Sequence, residues 1–255
     1  MNSELIKTYT KIFLKNKLIY ILFSINLIYL LNIVIGNSLI FKIAQTPKVD
    51  MFFNLYNILA NEFIFCIAII PFFVYIALKV CKDISKSKYI IARLKTRKNI
   101  LINKLVITQI VSLIFYMLLV CLELCFSLIV SKGNVIIEKT NIFGMYNYQV
   151  IILYVTRIYL MINVIQLLTI FITEKFESKI LLTIIIPLVC AIIMNRSDYY
   201  GKFTDYLYLS HYVVSVSIFK NLRECITISA IGYIIMLSVL FVLIFKFTLK
   251  KDIGE

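Results

Sequence analysis

The stretch that decides the fold is CKDISKSKYIIARLKTRKNILINK, residues 81–104. It carries eight lysines and arginines against one acid, Asp83, and it lies between two very apolar segments of the chain. Apolar runs of about 20 residues cross the roughly 30 Å hydrocarbon core of a bilayer as helices, and Lys and Arg collect in the cytoplasmic loops between them. The pattern therefore predicts two membrane-spanning helices joined by a basic cytoplasmic loop.

The composition of the whole chain favours a membrane protein. Of its 255 residues 62% are hydrophobic and only 16% are charged, whereas a soluble domain carries about 25% charged residues. The helices of a large soluble core would need polar faces, which the long apolar runs lack. The net charge of +14 would suggest nucleic acid in a soluble protein. Here the charges flank apolar runs, so they indicate orientation in a membrane and no nucleic-acid partner is expected.

Six apolar runs predict one all-α transmembrane domain over residues 1–255, and its segments have these approximate bounds. The spans are 18–35, 57–80, 105–130, 150–172, 180–194 and 228–245, and 195–224 is external or re-entrant. With the N-terminus inside, the predicted cytoplasmic segments hold 17 Lys and Arg and the external segments hold 8. The positive-inside rule therefore places both termini in the cytoplasm. The alternative for the first span is a cleaved signal peptide, for which 34–36 is the candidate cleavage pattern. An uncleaved first span is favoured over it.

The residues before the first span, 3–17, read as an amphipathic helix. One face is apolar and another is basic, and the residues on the two faces are Leu5, Ile6, Tyr9, Ile12 and Phe13, and Lys7, Lys11 and Lys15. A helix with these two faces is expected to lie in the membrane interface. The alternative is an ordinary positive flank that only fixes topology.

The basic segment 81–104, called the basic block below, is expected to contain a short cytoplasmic helix over 83–98. Candidate N-caps precede a small apolar cluster at helical spacing: Asp83, Ser85 and Ser87, then Tyr89, Ile90, Ile91 and Leu94. An isolated helix this short is not stable in water. It should therefore dock on the membrane surface or on a protein.

Motifs for several enzyme classes are absent from the sequence. There is no GxxxxGK[ST] phosphate loop, no HExxH zinc motif and no GxSxG nucleophile elbow. The single histidine, His211, has no second histidine for a metal site, and the six cysteines show no CxxC pair. We therefore expect no catalysis, no metal and no cofactor in this chain.

The N-terminal amphipathic helix, the six spans with both termini inside and the acid-led basic loop resemble the permease subunits of type-2 ABC exporters. In that family the loop between spans two and three is a coupling helix that sits in a groove of a separate ATPase subunit. Its pattern is an acid, a small residue, an apolar pair, a turn, an Arg and a Lys that opens span three. The matching positions are Asp83, Ser87, Leu94, Thr96, Arg97 and Lys104. The glycine and proline often seen in the family's loop are missing here.

The resemblance implies a partner ATPase that binds ATP and Mg, contacted through Asp83, Ser87, Tyr89, Ile90, Leu94 and Arg97. It also implies a second permease copy, identical or not, a location in a bacterial cell membrane and contact with membrane lipids. The cargo would be an amphipathic peptide, lipid or drug, and immunity against antimicrobial peptides is the preferred guess. The alternatives are a membrane binding or immunity protein that works without an ATPase, and, third, a membrane-embedded enzyme. A merely topogenic loop that grips anionic lipids is the alternative for the basic block.

Ionisable residues inside the predicted spans form a candidate polar network. Glu62, Glu123 and Arg157 fall on three different spans at similar depth, roughly 8–12 Å below the outer surface at the helical rise. Charges within a bilayer normally face the bundle interior and pair. Asn61 belongs to a polar stripe in the outer half of span two, the half of the membrane in which these charges are expected. Two roles remain open, a structural salt bridge, which the energetics favour, and a polar lining of a substrate path.

Overall fold

The computed structural model describes residues 7, 10, 11, 13–43, 50–59, 69–86, 96–140, 144–176 and 222–250. These residues form helices, turns and one isolated bridge between Lys139 and Tyr146, without any strand among them. Their helices are α1 (Lys17–Ile43), α2 (Met51–Leu59), α3 (Ile70–Lys86), α4 (Arg97–Val130), α5 (Asn147–Phe176) and α6 (Leu222–Lys250). The described part of the chain is therefore all-helical, as the sequence predicted.

Two stretches, Arg97–Val130 and Asn147–Lys175, are helices long and apolar enough to cross a membrane. Shorter apolar stretches lie in α1 and α6, at Lys17–Ile28 and Ala230–Lys246. These properties are compatible with a membrane protein. The number of spans stays a prediction, because the predicted fifth span, 180–194, and most of the predicted external segment, 195–224, lie outside the described residues.

The helix ends differ from the predicted spans in several places. α1 continues to Ile43 and α5 to Phe176, each beyond its predicted apolar run. The predicted second span is covered by the end of α2 and by α3, with 60–68 outside the described residues. α4 starts at Arg97 because the Thr96 hydroxyl accepts a hydrogen bond from the Asn99 amide at 3.2 Å, an N-cap that makes a polar first turn helical.

The two ends of the expected loop helix, 83–98, belong to other helices in the structure. Asp83 lies in the last turns of α3 and forms an ion pair with Lys79, one turn earlier, at 3.0 Å. The prediction that Asp83 is an N-cap is therefore wrong, because its carboxylate faces a side chain of its own helix. Arg97 and Lys98 belong to α4. Only 87–95 remain for a separate loop helix, and they lie outside the described residues.

Contacts made by side chains fix the relative directions of four helices. Lys104 and Ser112 of α4 contact Glu174 and Gln166 of α5, so these two helices are antiparallel. Gln166 also contacts Phe73 of α3. One apolar cluster then joins residues further along α3, α5 and α6 with the start of α4: Ala77, Cys81, Leu101, Leu105, Leu167, Ile170 and Ile244. Hence α3, α5 and α6 run parallel to one another and antiparallel to α4.

This arrangement gives the bundle two distinct ends. At the basic end, α3 ends, α4 begins and α5 and α6 end, which brings together Lys82, Arg97, Lys98, Lys104, Lys175 and Lys246. At the far end, α4 ends and α5 begins. α2 packs there, where the Met51 amide donates to the Asn134 carbonyl at 3.0 Å and Tyr56 contacts Tyr154 edge-on.

The N-terminal residues show the two faces expected from the sequence. Among those described, Lys7, Lys11 and Lys15 are exposed, whereas Phe13 is buried in the main hydrophobic core. The helical residues before α1 end at Leu14. A turn follows, in which the Asn16 amide donates to the Phe13 carbonyl and the Asn16 side chain accepts from the Leu18 amide. The position of this helix in a membrane interface stays a prediction.

Candidate functional site: the polar interior of the helical bundle

Polar and charged side chains are buried along the whole height of the bundle. Within the described residues they are Asn54, Asn103, Lys104, Thr108, Ser112, Glu123, Ser127, Ser131, Arg157, Gln166 and Thr169. Most of them lie on α4 and α5, the two antiparallel helices. Burying polar groups costs free energy unless they find partners, so the partners of each group show what this polar interior does.

At the basic end, Lys104 and Glu174 form an ion pair with 2.5 Å between Nζ and Oε1. The two side chains are only 5% and 21% exposed. The pair joins the second turn of α4 to the end of α5, next to the buried cluster that contains Cys81 and Leu101. Two opposite charges in contact satisfy each other where neither could be solvated well. The pair therefore fixes α4 against α5 at this end.

In the middle of the bundle, Gln166 of α5 links three helices. Its Nε2 donates to Ser112 Oγ of α4 and to the Phe73 carbonyl of α3, the latter at 3.2 Å. Gln166 and Ser112 are both completely buried. Side-chain hydrogen bonds between helices stabilise bundles in apolar surroundings, so this layer holds α3, α4 and α5 together.

Toward the far end, the buried charges Glu123 and Arg157 are 2% and 3% exposed. The register set by Lys104–Glu174 and Ser112–Gln166 brings Glu123 level with residue 155, half a turn from Arg157. Glu123 Oε1 accepts no hydrogen bond, and within the described residues Ser127 Oγ and the side-chain Oδ1 and Nδ2 of Asn54 have no hydrogen-bond partner either. Arg157 is in contact with other groups, and its carbonyl accepts from the Tyr233 hydroxyl at 3.4 Å.

The outer surface of the bundle is the reverse of its interior. Large apolar side chains are exposed along α1, α4 and α6, among them Ile21, Ile25, Leu113, Met117, Ile234, Ile235 and Val242. Contact with hydrocarbon carries no free-energy penalty for such a surface, whereas contact with water does.

The structure brings some of the predicted site residues together and leaves others undescribed. Glu123 and Arg157 are both buried inside the bundle, while Glu62 and Asn61 fall outside the described residues, so the pairing of these charges stays a prediction. Of the residues expected to contact an ATPase, Asp83 and Arg97 lie at the basic end, on α3 and α4. The remaining four, Ser87, Tyr89, Ile90 and Leu94, are outside the described residues.

Sequence reasoning did not find the Lys104–Glu174 pair. Glu174 lies two residues beyond the predicted fourth span, and Lys104 immediately precedes the predicted third span, so neither residue falls within a predicted span. A usable signal existed, because consecutive spans are antiparallel, which puts a charge at the start of one level with a charge at the end of the next. No comparable feature of the sequence indicates that Ser112 is the hydrogen-bond partner of Gln166.

Among the described residues no group of three His, Cys, Asp or Glu side chains could hold a metal ion. Comparisons with protein-family models, with curated proteins and with solved structures each return no match for this chain. Its function therefore has to be inferred from its residues and their geometry.

Proposed function

We propose that this chain is the membrane-spanning permease subunit of an ABC exporter that moves an amphipathic peptide, lipid or drug, with antimicrobial peptides as the preferred cargo. The observation that supports this most is a polar interior that runs from the Lys104–Glu174 pair to Glu123 and Arg157, inside helices whose outer surface is apolar. A bundle of this kind suits a bilayer, where polar groups face inward and line or brace a pathway.

The proposed orientation puts the basic end in the cytoplasm. The ends of α3, α5 and α6 and the start of α4 meet there, and Lys and Arg concentrate on these helix ends. Positive residues flanking spans favour the cytoplasmic side of a membrane. The chain would then span the membrane several times, with both termini inside.

The energy would come from a separate ATPase, because the chain has no phosphate-binding loop of its own. The ATPase would grip residues 87–95, which connect α3 to α4. Described contacts lie on both sides of this segment. Lys79 and Asp83 pair on α3, and the Thr96 cap fixes the start of α4. The Lys104–Glu174 pair would then pass a displacement of α4 on to α5, and a second permease copy would complete the pathway.

Capture of the ATPase by two double variants tests this proposal. Apolar anchors at an interface centre usually carry more binding energy than charges at its rim. We therefore expect Tyr89→Ala/Leu94→Ala to lose most of the captured ATPase and to uncouple ATP hydrolysis from transport. The comparison variant, Lys95→Gln/Lys98→Gln, removes two positive charges and keeps the apolar pair, and it should lose less of the ATPase, mainly at low salt. The captured protein is identified by its phosphate-loop peptide in mass spectrometry.

Insertion is matched first, with reporter fusions after Lys251 and near Lys202 that should read inside and outside. If the basic block is only topogenic, the order of the two variants reverses: loss of charge impairs insertion and the apolar pair is dispensable. Equal retention of the ATPase by Tyr89→Ala/Leu94→Ala and by the unmodified chain would overturn the coupling role.

A further inference from the structure

A groove of about 590 Å³ opens on the side of the bundle between α4, α5 and α6. Its wall is mainly apolar, and each of the three helices contributes one polar residue: Gln109 from α4, Asn163 from α5 and Ser238 from α6. The apolar lining residues are Leu105, Leu167, Leu237, Phe241 and Val242. Ligand sites have this character, because an apolar cavity of about 300–1,000 Å³ binds the body of a ligand and a few convergent polar groups orient it.

The helix directions place Asn163 and Ser238 at the same height. Tyr233 contacts the carbonyl of Arg157, and Ile244 shares a cluster with Ile170. In both pairs the residue number on α6 exceeds the residue number on α5 by nearly the same amount. Ser238 and Asn163 differ by that amount too, so they lie at the same height along the parallel helices. The two polar side chains therefore face one point in the groove.

The polar groups in and behind the groove need hydrogen-bond donors. Asn163 Oδ1 is buried and accepts no hydrogen bond, and Gln166 Oε1 and Thr108 Oγ1, less than a turn away along their helices, are buried without a partner as well. An unsatisfied polar atom is costly in hydrocarbon, where no water can replace the missing partner. Of these three atoms only Asn163 Oδ1 belongs to a residue that lines the groove, so a molecule in the groove that carries an N–H donor would satisfy that oxygen.

The groove opens to the outer surface of the bundle in the half near the basic end. Val242 at its mouth is 62% exposed, and Leu105 follows Lys104 of the ion pair directly. The polar lining is local, about 8 Å long at the helical rise. Beyond it α4 and α6 present apolar residues such as Met117 and Ile234. A packed partner helix would need a longer polar or small-residue seam, which favours a small amphipath over a helix.

We infer that this groove binds a single-chain amphipath that carries amide N–H donors and enters from the membrane leaflet at the basic end. The inference deepens the proposed transport function by naming a substrate class, and it rests on the membrane setting proposed above. Asn163 and Ser238 receive the amide, and Phe241, Leu167 and Leu237 contact the hydrocarbon chain.

Two probes with the same chain test this: oleamide, a primary amide with two N–H donors, and methyl oleate, which has none. Binding to the purified chain in nanodiscs, without any ATPase, is measured by the shift in melting temperature and by native mass spectrometry. We expect oleamide to bind at least about tenfold more tightly than methyl oleate, since one or two hydrogen bonds differ. Equal binding of the two probes overturns the inference.

Variants separate the groove from the general membrane surface. Ser238→Ala and Asn163→Leu should each weaken oleamide binding by about five- to tenfold, and Ser238 is exposed enough for its variant to fold. Thr156→Val is the matched control, because Thr156 is exposed on α5 outside the groove and bonds only the Ile152 carbonyl. Unchanged binding in Ser238→Ala, or an equal loss in Thr156→Val, overturns the site.

A photoreactive residue in place of Val242 identifies any other occupant. Cross-linking to oleamide supports the inference, whereas cross-linking to residues 177–221 of the same chain or to a second copy overturns it. The binding assay contains no ATPase, so its outcome is independent of the capture experiment. Oleamide binding without ATPase capture refutes the transport proposal alone, and capture without oleamide binding refutes the groove alone.

Discussion

The two ends of the bundle treat their buried charges differently. At the basic end, Lys104 and Glu174 are in direct contact. Toward the far end, Glu123 Oε1 and the amide of Asn54 are buried without a hydrogen-bond partner among the described residues. The first arrangement fixes two helices at a helix end, and the second leaves polar groups open inside the apolar part. The comparison shows that an ion pair joins α4 to α5 at the basic end, whereas Glu123 Oε1 has no such partner toward the far end.

The largest effect should come from breaking the Lys104–Glu174 pair. Either Lys104→Met or Glu174→Met leaves a charged partner alone in a largely buried place, which costs roughly 3–5 kcal/mol for a buried pair. The loss is measured as the free energy of unfolding in detergent micelles. The double replacement Lys104→Met/Glu174→Met should cost much less, because it leaves no charge behind.

The exchanged pair Lys104→Glu/Glu174→Lys is a second control and should recover most of the stability lost in the single variants. Two single variants as stable as the unmodified chain would show that the basic end is not fixed by this contact. The two ends could then no longer be distinguished by an ion pair that fixes α4 against α5 at the basic end.

Much of the fold could be predicted from hydropathy alone, because α4 and α5 are long apolar runs that only a membrane or a large core could accommodate. The helix starts were harder. Arg97–Lys104 is polar, and it is helical because Thr96 caps it and because Leu101 and Leu105 pack against α5 and α6. Hydropathy does not register either cause.

The candidate site was predictable in part, and for a physical reason. The charges Glu123 and Arg157 stand out in apolar runs, and their burial follows from the cost of exposing a charge to lipid. Which groups touch could not be predicted, since a helix that is apolar all round gives no sign of the face that packs. Gln166 was visible as a polar residue, but its contacts with Ser112 and Phe73 depend on the rotation and register of three helices.

The second prediction concerns the partner of Arg157 toward the far end. Arg157→Ala should cost about 3 kcal/mol, because any acid paired with it would be left buried alone. Glu123→Gln should cost less than about 1 kcal/mol, since Glu123 Oε1 accepts no hydrogen bond that the amide would lose. Double-mutant cycles of Arg157 with Glu62 and with Glu123, measured by unfolding, identify the partner.

A coupling free energy above about 1 kcal/mol with one acid marks the paired residue. Coupling to neither acid, together with a small effect of Arg157→Ala, would refute the proposed network. The contrast between the two ends would then rest on the Lys104–Glu174 pair alone.

The smallest expected effect is at the point where the basic block meets α4. Thr96 has an extended backbone, with φ −124° and ψ 144°, and its hydroxyl accepts from the Asn99 amide. Thr96→Ala should therefore cost about 1 kcal/mol, the usual value of an N-cap, while Thr96→Ser keeps the oxygen and should stay within a few tenths of the unmodified chain. Because the cap acts only on the first turn, hydrogen exchange at residues 98–100 should quicken in Thr96→Ala, and exchange around Ser112 should not. Equal exchange at 98–100 in both variants would mean that tertiary packing of Leu101 sets the start of α4. The displacement proposed for 87–95 would then act on an α4 whose start is held by the packing of Leu101 and not by the cap, and the Lys104–Glu174 pair would still pass it on to α5.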